Sequence, residues 1–207
     1  MSEVNPKDEV FINLILQATK GLYQRYGYKK VTMADVAKEV GKTRSALYYY
    51  FKNREQLFEA VLFSLVDEVK KDLLAVMFEN DSLETKLKAF CVIKIKGSKK
   101  IQAFYSNIEI EMDTEERSNY AQIKWQVHKK MMETETDMLM GVINSSIKKQ
   151  EIPIQTEAQL KIVVFVLLSG IRGIRRELSI DTYSKNWKEG AAMLARMIVS
   201  ELRSQAT

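Results

Sequence analysis

Between residues 43 and 54 the chain sets a cation, two small hydroxyls and three phenols side by side. They are Thr43, Arg44, Ser45, Tyr48, Tyr49 and Tyr50, followed by Lys52 and Arg54. The set fits contact with a nucleic acid. Arginine pairs bidentately with guanine, and ring edges touch thymine methyls. Lysine, a second arginine and hydroxyls hold phosphates, which set register but carry no sequence information. This requires one face of a short, anchored helix. Leu47 and Phe51, four apart, can pack down, while Arg44, Ser45, Tyr48 and Tyr49 turn elsewhere. The competing reading, three tyrosines filling a core, meets a geometric objection: consecutive helix positions point about 100° apart and cannot all be buried in so short a helix.

The stretch around them, residues 31–57, supplies the elements that would position such a face. Thr32 is an N-cap with Asp35 at the third helical position, a capping-box variant. Met33, Val36, Ala37 and Val40 follow at helical spacing. Gly41 ends that helix in the left-handed conformation glycine adopts cheaply, and Thr43 caps the next. Two short helices joined this tightly form a helix-turn-helix. Asn53 with Gln56 caps a third helix, which makes Arg54 its first residue. A cation there opposes the helix dipole by about 0.3 kcal/mol or somewhat more. A phosphate shared with the free N–H groups would reverse that sign, whereas a solvated arginine would not.

These residues resemble the DNA-binding domain of the tetracycline-repressor (TetR/AcrR) family of bacterial regulators. The resemblance rests on Thr32, Val36-Ala37, Gly41, Thr43, Leu47-Tyr48, Phe51 and the KNREQL run ending at Leu57, and covers about residues 8–58. Arg54 stands where lysine is usual, and Lys42 where a small apolar residue is common. The resemblance implies double-stranded DNA as partner, a homodimer built through the last helices, and a small-molecule inducer bound within each body. It assigns Thr43, Arg44, Ser45, Tyr48 and Tyr49 to base or groove contact, and Thr32, Tyr50, Lys52 and Arg54 to phosphates.

Charge supports the division. Residues 1–54 hold ten Lys/Arg against five Asp/Glu, an excess of five that equals the net charge of the whole 207-residue chain. Basic excess confined to one segment is the footprint of a DNA-binding head on a neutral body. Cys91 is alone, so it forms no intramolecular disulfide and reads as a small core hydrophobe. His128 is the only histidine and makes no metal site. The residues call for no cofactor. No nucleophile–histidine pairing, G-x-S-x-G, phosphate loop or H-E-x-x-H is present, which argues against an enzyme. No apolar run reaches the roughly 20 residues that span a bilayer, and the N-terminus lacks a signal-peptide h-region, so the expectation is a cytoplasmic protein.

The rest reads as helix throughout, all-α, with eight glycines and two prolines as the few breakers. Asn5-Pro6 opens a first helix, with Phe11, Leu14, Ile15, Ala18 and Leu22 on its stripe and Gly27 at its end. A helix over 54–77 leaves a head of residues 1–53 and enters a body of residues 54–207. A capping box at Asp81 and Glu84 predicts a helix over 81–96, broken by Gly97, then a shorter piece over 99–107. Asp113 with Glu116 caps a helix to about 149, Thr156 begins one to 178, and the last runs over 184–203, about nine helices in all. Soft and aromatic side chains of the body, Phe90, Phe104, Tyr105, Tyr120, Trp125 and Met138, are candidates for the inducer pocket, with plain core as the competing reading. The greasy run 162–168 should be buried on all sides, and small residues spaced three apart let another helix approach. Val166, Ser169, Gly170, Gly173, Leu194, Met197 and Ile198 are the candidates for the dimer interface, with closure of the monomer core as the alternative.

Overall fold

The computed structural model describes residues 6–79, 82–109, 112–178 and 186–204. Among them are eight helices and no strand. In order they are α1 Pro6–Tyr26, α2 Met33–Glu39, α3 Arg44–Tyr50, α4 Arg54–Glu79, α5 Leu83–Glu109, α6 Thr114–Lys148, α7 Glu157–Glu177 and α8 Trp187–Ser204. The fold is all-α as expected, with one helix fewer. Gly97 does not break α5, which continues through 99–107 as one helix. An interior glycine costs about 1 kcal/mol relative to alanine, and the buried Phe90, Cys91 and Ile95 before it and Phe104 and Ile108 after it outweigh that. Asn5, Asp81 and Ser184, expected at helix starts, lie outside the described residues. Within them, Ser82 caps α5: its hydroxyl accepts from the Thr85 N–H at 3.2 Å.

The chain divides into two compact units, residues 1–67 with 101–129, and residues 68–100 with 130–207. In the first unit, Ile15, Leu16, Leu22 and Tyr23 of α1 are buried, as are Val36 and Ala37 of α2, Leu47 of α3 and Leu57, Phe58, Val61 and Leu62 of α4. The α1 stripe is shifted from the expected one: Leu14 is exposed, and Leu16, Thr19 and Tyr23 are buried. Thr19 tolerates this because its hydroxyl donates to the Ile15 carbonyl at 2.7 Å, one turn back. An aromatic ladder extends the core, with centroids 4.4 Å apart for Tyr28–Phe58 and 5.8 Å for Phe58–Tyr120.

The second unit packs Leu87, Phe90, Cys91, Leu139, Ile143, Leu160, Val164, Leu167, Ala195 and Ile198 into one core. Gly170 serves contact within the chain: a Cβ there would stand 2.8 Å from Leu194 Cδ2, so the small residue admits α8 of the same chain. Ile198 is likewise buried in its own core. The run 162–168 is two-sided and not buried all round. Val163, Val164, Leu167 and Leu168 face in, while Ile162, Phe165 and Val166 are exposed. Inside this unit Lys94 pairs with Glu135, and Arg172 donates to Ser169 Oγ at 2.9 Å and to Met132 Sδ at 2.8 Å.

Candidate nucleic-acid interface

Local hydrogen bonds build the two short helices. The Thr32 side chain accepts from the Asp35 N–H while the Asp35 carboxylate accepts from the Thr32 N–H at 2.8 Å, closing the capping box. The Thr32 hydroxyl also donates to Asp35 Oδ2 at 2.6 Å, and this bond, with that from the Thr32 N–H, holds the Asp35 carboxyl below its ordinary pKa. At the far end Gly41 sits at φ +65°. The Lys42 N–H bonds the Ala37 carbonyl at 2.9 Å and the Gly41 N–H bonds the Lys38 carbonyl at 3.2 Å, the two bonds of a Schellman turn. Thr43 then caps α3 through the Ala46 N–H at 3.2 Å.

α3 therefore leaves the turn with a defined rotation. Leu47 is 0% exposed and anchors it, with Phe51 buried one turn on. Thr43, Arg44 and Ser45 are exposed, Tyr48 is 41% exposed and Tyr49 80%. Arg44 is held along this face: its guanidinium lies 5.7 Å from the Tyr48 ring centroid and donates to the Tyr48 hydroxyl at 3.3 Å. The outward set is thus one cation, two small hydroxyls and two phenols on one surface, a pattern suited to base edges in a major groove.

The residues expected to hold phosphates separate into two groups. Thr32 and Lys52 are exposed, at the start of α2 and just before α4. Tyr50 and Arg54 are engaged within the unit. The Tyr50 hydroxyl donates to Asp8 Oδ1 at 2.7 Å, and its ring meets Phe11 edge-on at 5.3 Å. The Asp8 carboxylate accepts that proton and raises the Tyr50 pKa above its ordinary value. Arg54 stacks over Tyr28 at 4.3 Å and lies 3.7 Å from Glu116. Nothing in the residue pattern announced these partners: Asp8 and Tyr50 are 42 positions apart in sequence.

The expected pocket residues do not gather in one unit. Phe104, Tyr105, Tyr120 and Trp125 belong to the first and Phe90 and Met138 to the second. Trp125 is 64% exposed and lines no interior; its ring stands out from α6 with Lys129 Nζ 5.9 Å from its centroid. Phe104 and Tyr120 are buried among aromatics, and Phe90 is fully buried. Two hollows of about 460 and 480 Å³ lie on the second unit, and none of the six lines either. Of the expected interface residues, Val166 and Met197 are exposed, Ser169, Gly173 and Leu194 half-buried. Among the described residues no group of His, Cys, Asp and Glu could hold a metal ion, and no helix is long and apolar enough to cross a membrane.

Residues 15–61 match the family model for bacterial regulatory proteins of the tetR family. An HTH-type transcriptional regulator of Bacillus subtilis (strain 168), YhgD, is 38% identical over 58 residues, 28% of this chain and 30% of that protein. The chain thus matches under a third of that relative's length. The crystal structure of a transcriptional regulator from Cytophaga hutchinsonii ATCC 33406 shares the fold with a TM-score of 0.61 at 19% identity, over 92% of this chain and 97% of that one. So does the regulator FadR from Bacillus subtilis in complex with stearoyl-CoA, with a TM-score of 0.56 at 15% identity, over 90% and 97%. Residues 15–61 thus match a tetR-family model, on an all-helical fold shared with these regulators. The matched model is one of bacterial regulatory proteins.

Proposed function

We propose that this protein is a sequence-specific DNA-binding transcriptional regulator that acts in the cytoplasm as a homodimeric repressor. The observation that carries the reading is the outward face of α3. Thr43, Arg44, Ser45, Tyr48 and Tyr49 are exposed while Leu47 behind them is fully buried. An anchored helix presenting a cation, hydroxyls and phenols on one face has the donors and ring edges that base readout uses. The labour divides at about residue 53, with a reading head before it and a ligand-binding and dimerising body after it.

The dimer reading is supported by α7 and α8. Ile162, Phe165 and Val166 of α7 and Met193 and Met197 of α8 are all exposed, five large apolar side chains on two helices that pack together. A second copy would cover them, giving a four-helix, two-fold interface. Two heads would then read half-sites about 34–36 Å apart, roughly one helical turn. The inducer would be a small apolar or amphipathic molecule, the class to which stearoyl-CoA on the FadR neighbour belongs. Its binding would favour a state whose heads no longer match adjacent grooves. An activator with the same head is the second reading, since repression and activation use identical base contacts.

Selection from a random duplex library at near-physiological salt tests the proposal. An inverted repeat with fixed half-site spacing is expected. Tyr48→Ala should lose binding to that repeat while the dimer persists; unchanged affinity in this variant would refute the assignment of α3.

A further inference from the structure

Two of the basic residues nearest the candidate interface are already neutralised from within the first unit. Lys29, three residues before the α2 cap, has its Nζ 3.6 Å from Asp113 Oδ2 and 3.5 Å from Glu116 Oε2. Arg54, the first residue of α4, has Nη2 3.7 Å from Glu116 Oε1 and donates from Nη1 to the Lys29 carbonyl at 3.4 Å. Its guanidinium lies on Tyr28, with Cζ 4.3 Å from the ring centroid. Both carboxylates come from the start of α6, and their places are set there. The Glu116 carboxylate accepts from the Asp113 N–H at 3.1 Å, and Asp113 Oδ1 accepts from the Glu116 N–H at 3.0 Å. Two cations therefore meet two carboxylates that the cap of α6 holds in position, and Arg54 has a third, Glu55, 3.8 Å from its Nε on its own helix.

We propose that Lys29 and Arg54 form a two-cation phosphodiester clamp whose resting counter-ions are Asp113 and Glu116, so that the first turn of α6 competes with the DNA backbone for them. This rests on the DNA-binding reading and adds a regulated phosphate site to it. The chemistry of exchange is direct. A carboxylate and a phosphate offer a guanidinium the same pair of oxygens, and the phosphate shares its charge with the free N–H groups at the start of α4 as well. The carboxylates are replaceable. Their separations from the two cations run from 3.5 to 3.7 Å, and all four side chains keep some access to solvent: Asp113 56%, Lys29 47%, Arg54 27% and Glu116 23% exposed. Pairs of this kind hold weakly. Tyr28 keeps the Arg54 plane fixed whichever anion it faces. Any event that draws the start of α6 away frees the clamp; any event that presses it in closes the clamp against DNA. Acidic residues beside a phosphate site are otherwise a liability, since each repels the backbone.

The test uses the full chain and an arbitrary duplex of about three helical turns, because phosphate contacts carry no sequence information. Glu116→Gln keeps an oxygen for the Asp113 N–H, so the α6 cap survives while the charge goes. It should tighten duplex binding about 3- to 10-fold at low salt, with helical content unchanged. In a Lys29→Ala/Arg54→Ala background the same substitution should bring less than a 2-fold gain, and that background should lower the salt slope by roughly 0.9 for each phosphate no longer held. Asp113→Asn provides a second, independent removal of charge. An equal gain in both backgrounds would mean a general field effect and no exchange, and would overturn the clamp. Weaker binding by Glu116→Gln would make Glu116 a strut and overturn it too. A wild-type chain that binds no duplex even at low salt would instead refute the DNA-binding reading beneath it.

Discussion

Replacing glycine by alanine at two positions should move stability in opposite directions. Gly41 has φ +65°, and a Cβ there would meet nothing within 4 Å. Its cost is therefore purely conformational: an L-residue in the left-handed region loses about 1–2 kcal/mol. The reduced freedom of the unfolded chain returns about 0.4–1 kcal/mol. Gly41→Ala should thus destabilise by about 1 kcal/mol, the difference of those two effects. Gly97 also has open space around it, but it lies inside α5 with ordinary helical backbone. There alanine should stabilise by about 0.5–1 kcal/mol, the difference in helix propensity. The assay is urea denaturation followed by circular dichroism, with each midpoint compared with wild type at unchanged slope. In thermal scans the shifts should be roughly 2–4 °C, down for Gly41→Ala and up for Gly97→Ala. A loss of stability in Gly97→Ala would mean that this glycine does break the helix, and the continuity of α5 would be refuted. No loss in Gly41→Ala would refute the Schellman turn that aims α3.

Three further outcomes follow from single sites. Gln150 closes α6 at φ 57°, its N–H bonding the Ile147 carbonyl at 2.9 Å. Gln150→Gly should raise stability by about 0.5–1 kcal/mol in the same denaturation assay. The Tyr23 hydroxyl is buried with no hydrogen-bond partner among the described residues, and burial raises its pKa above the ordinary phenol value. Tyr23→Phe should therefore be neutral or stabilising by up to about 1 kcal/mol, read from the same midpoints. Burial pushes the Cys91 thiol up to about 12, so at about pH 8 a disulfide reagent should leave the native chain unlabelled on the time scale that labels it fully in urea.

How much of this was legible in the sequence depended on the range of the interaction. Caps at Thr32, Thr43, Asn53 and Asp113 each bond a residue three positions away, and each is found where the sequence places it. Gly41 announces its own conformation because few residues share it. Gln150 takes the same role without any signal, since nothing local distinguishes a glutamine in the left-handed region from one in a helix. Gly97 gave a false signal for the complementary reason: helix propensity weighs about 1 kcal/mol, and the packing of α5 on either side weighs more. The stripe of α1 was legible in part: Ile15 and Leu22 are buried as expected, while Leu14 is exposed and Thr19, its hydroxyl satisfied by its own helix, is buried.

By itself, then, the order of residues determined the helices apart from the continuity of α5, the turn between α2 and α3, the outward face of α3 and the confinement of positive charge to one segment. All of these are set by contacts within one or two turns, or by counting. Only the tertiary structure decided which side chains distant in sequence meet. Tyr50 is tied to Asp8, Arg54 lies on Tyr28 beside Glu116, and Gly170 makes room for Leu194. It also decided that Trp125 faces outward and that one side of α7 is covered while the other is not. The physical reason is that such pairings join positions tens of residues apart, and chain folding alone sets which of several equally suitable partners comes within reach.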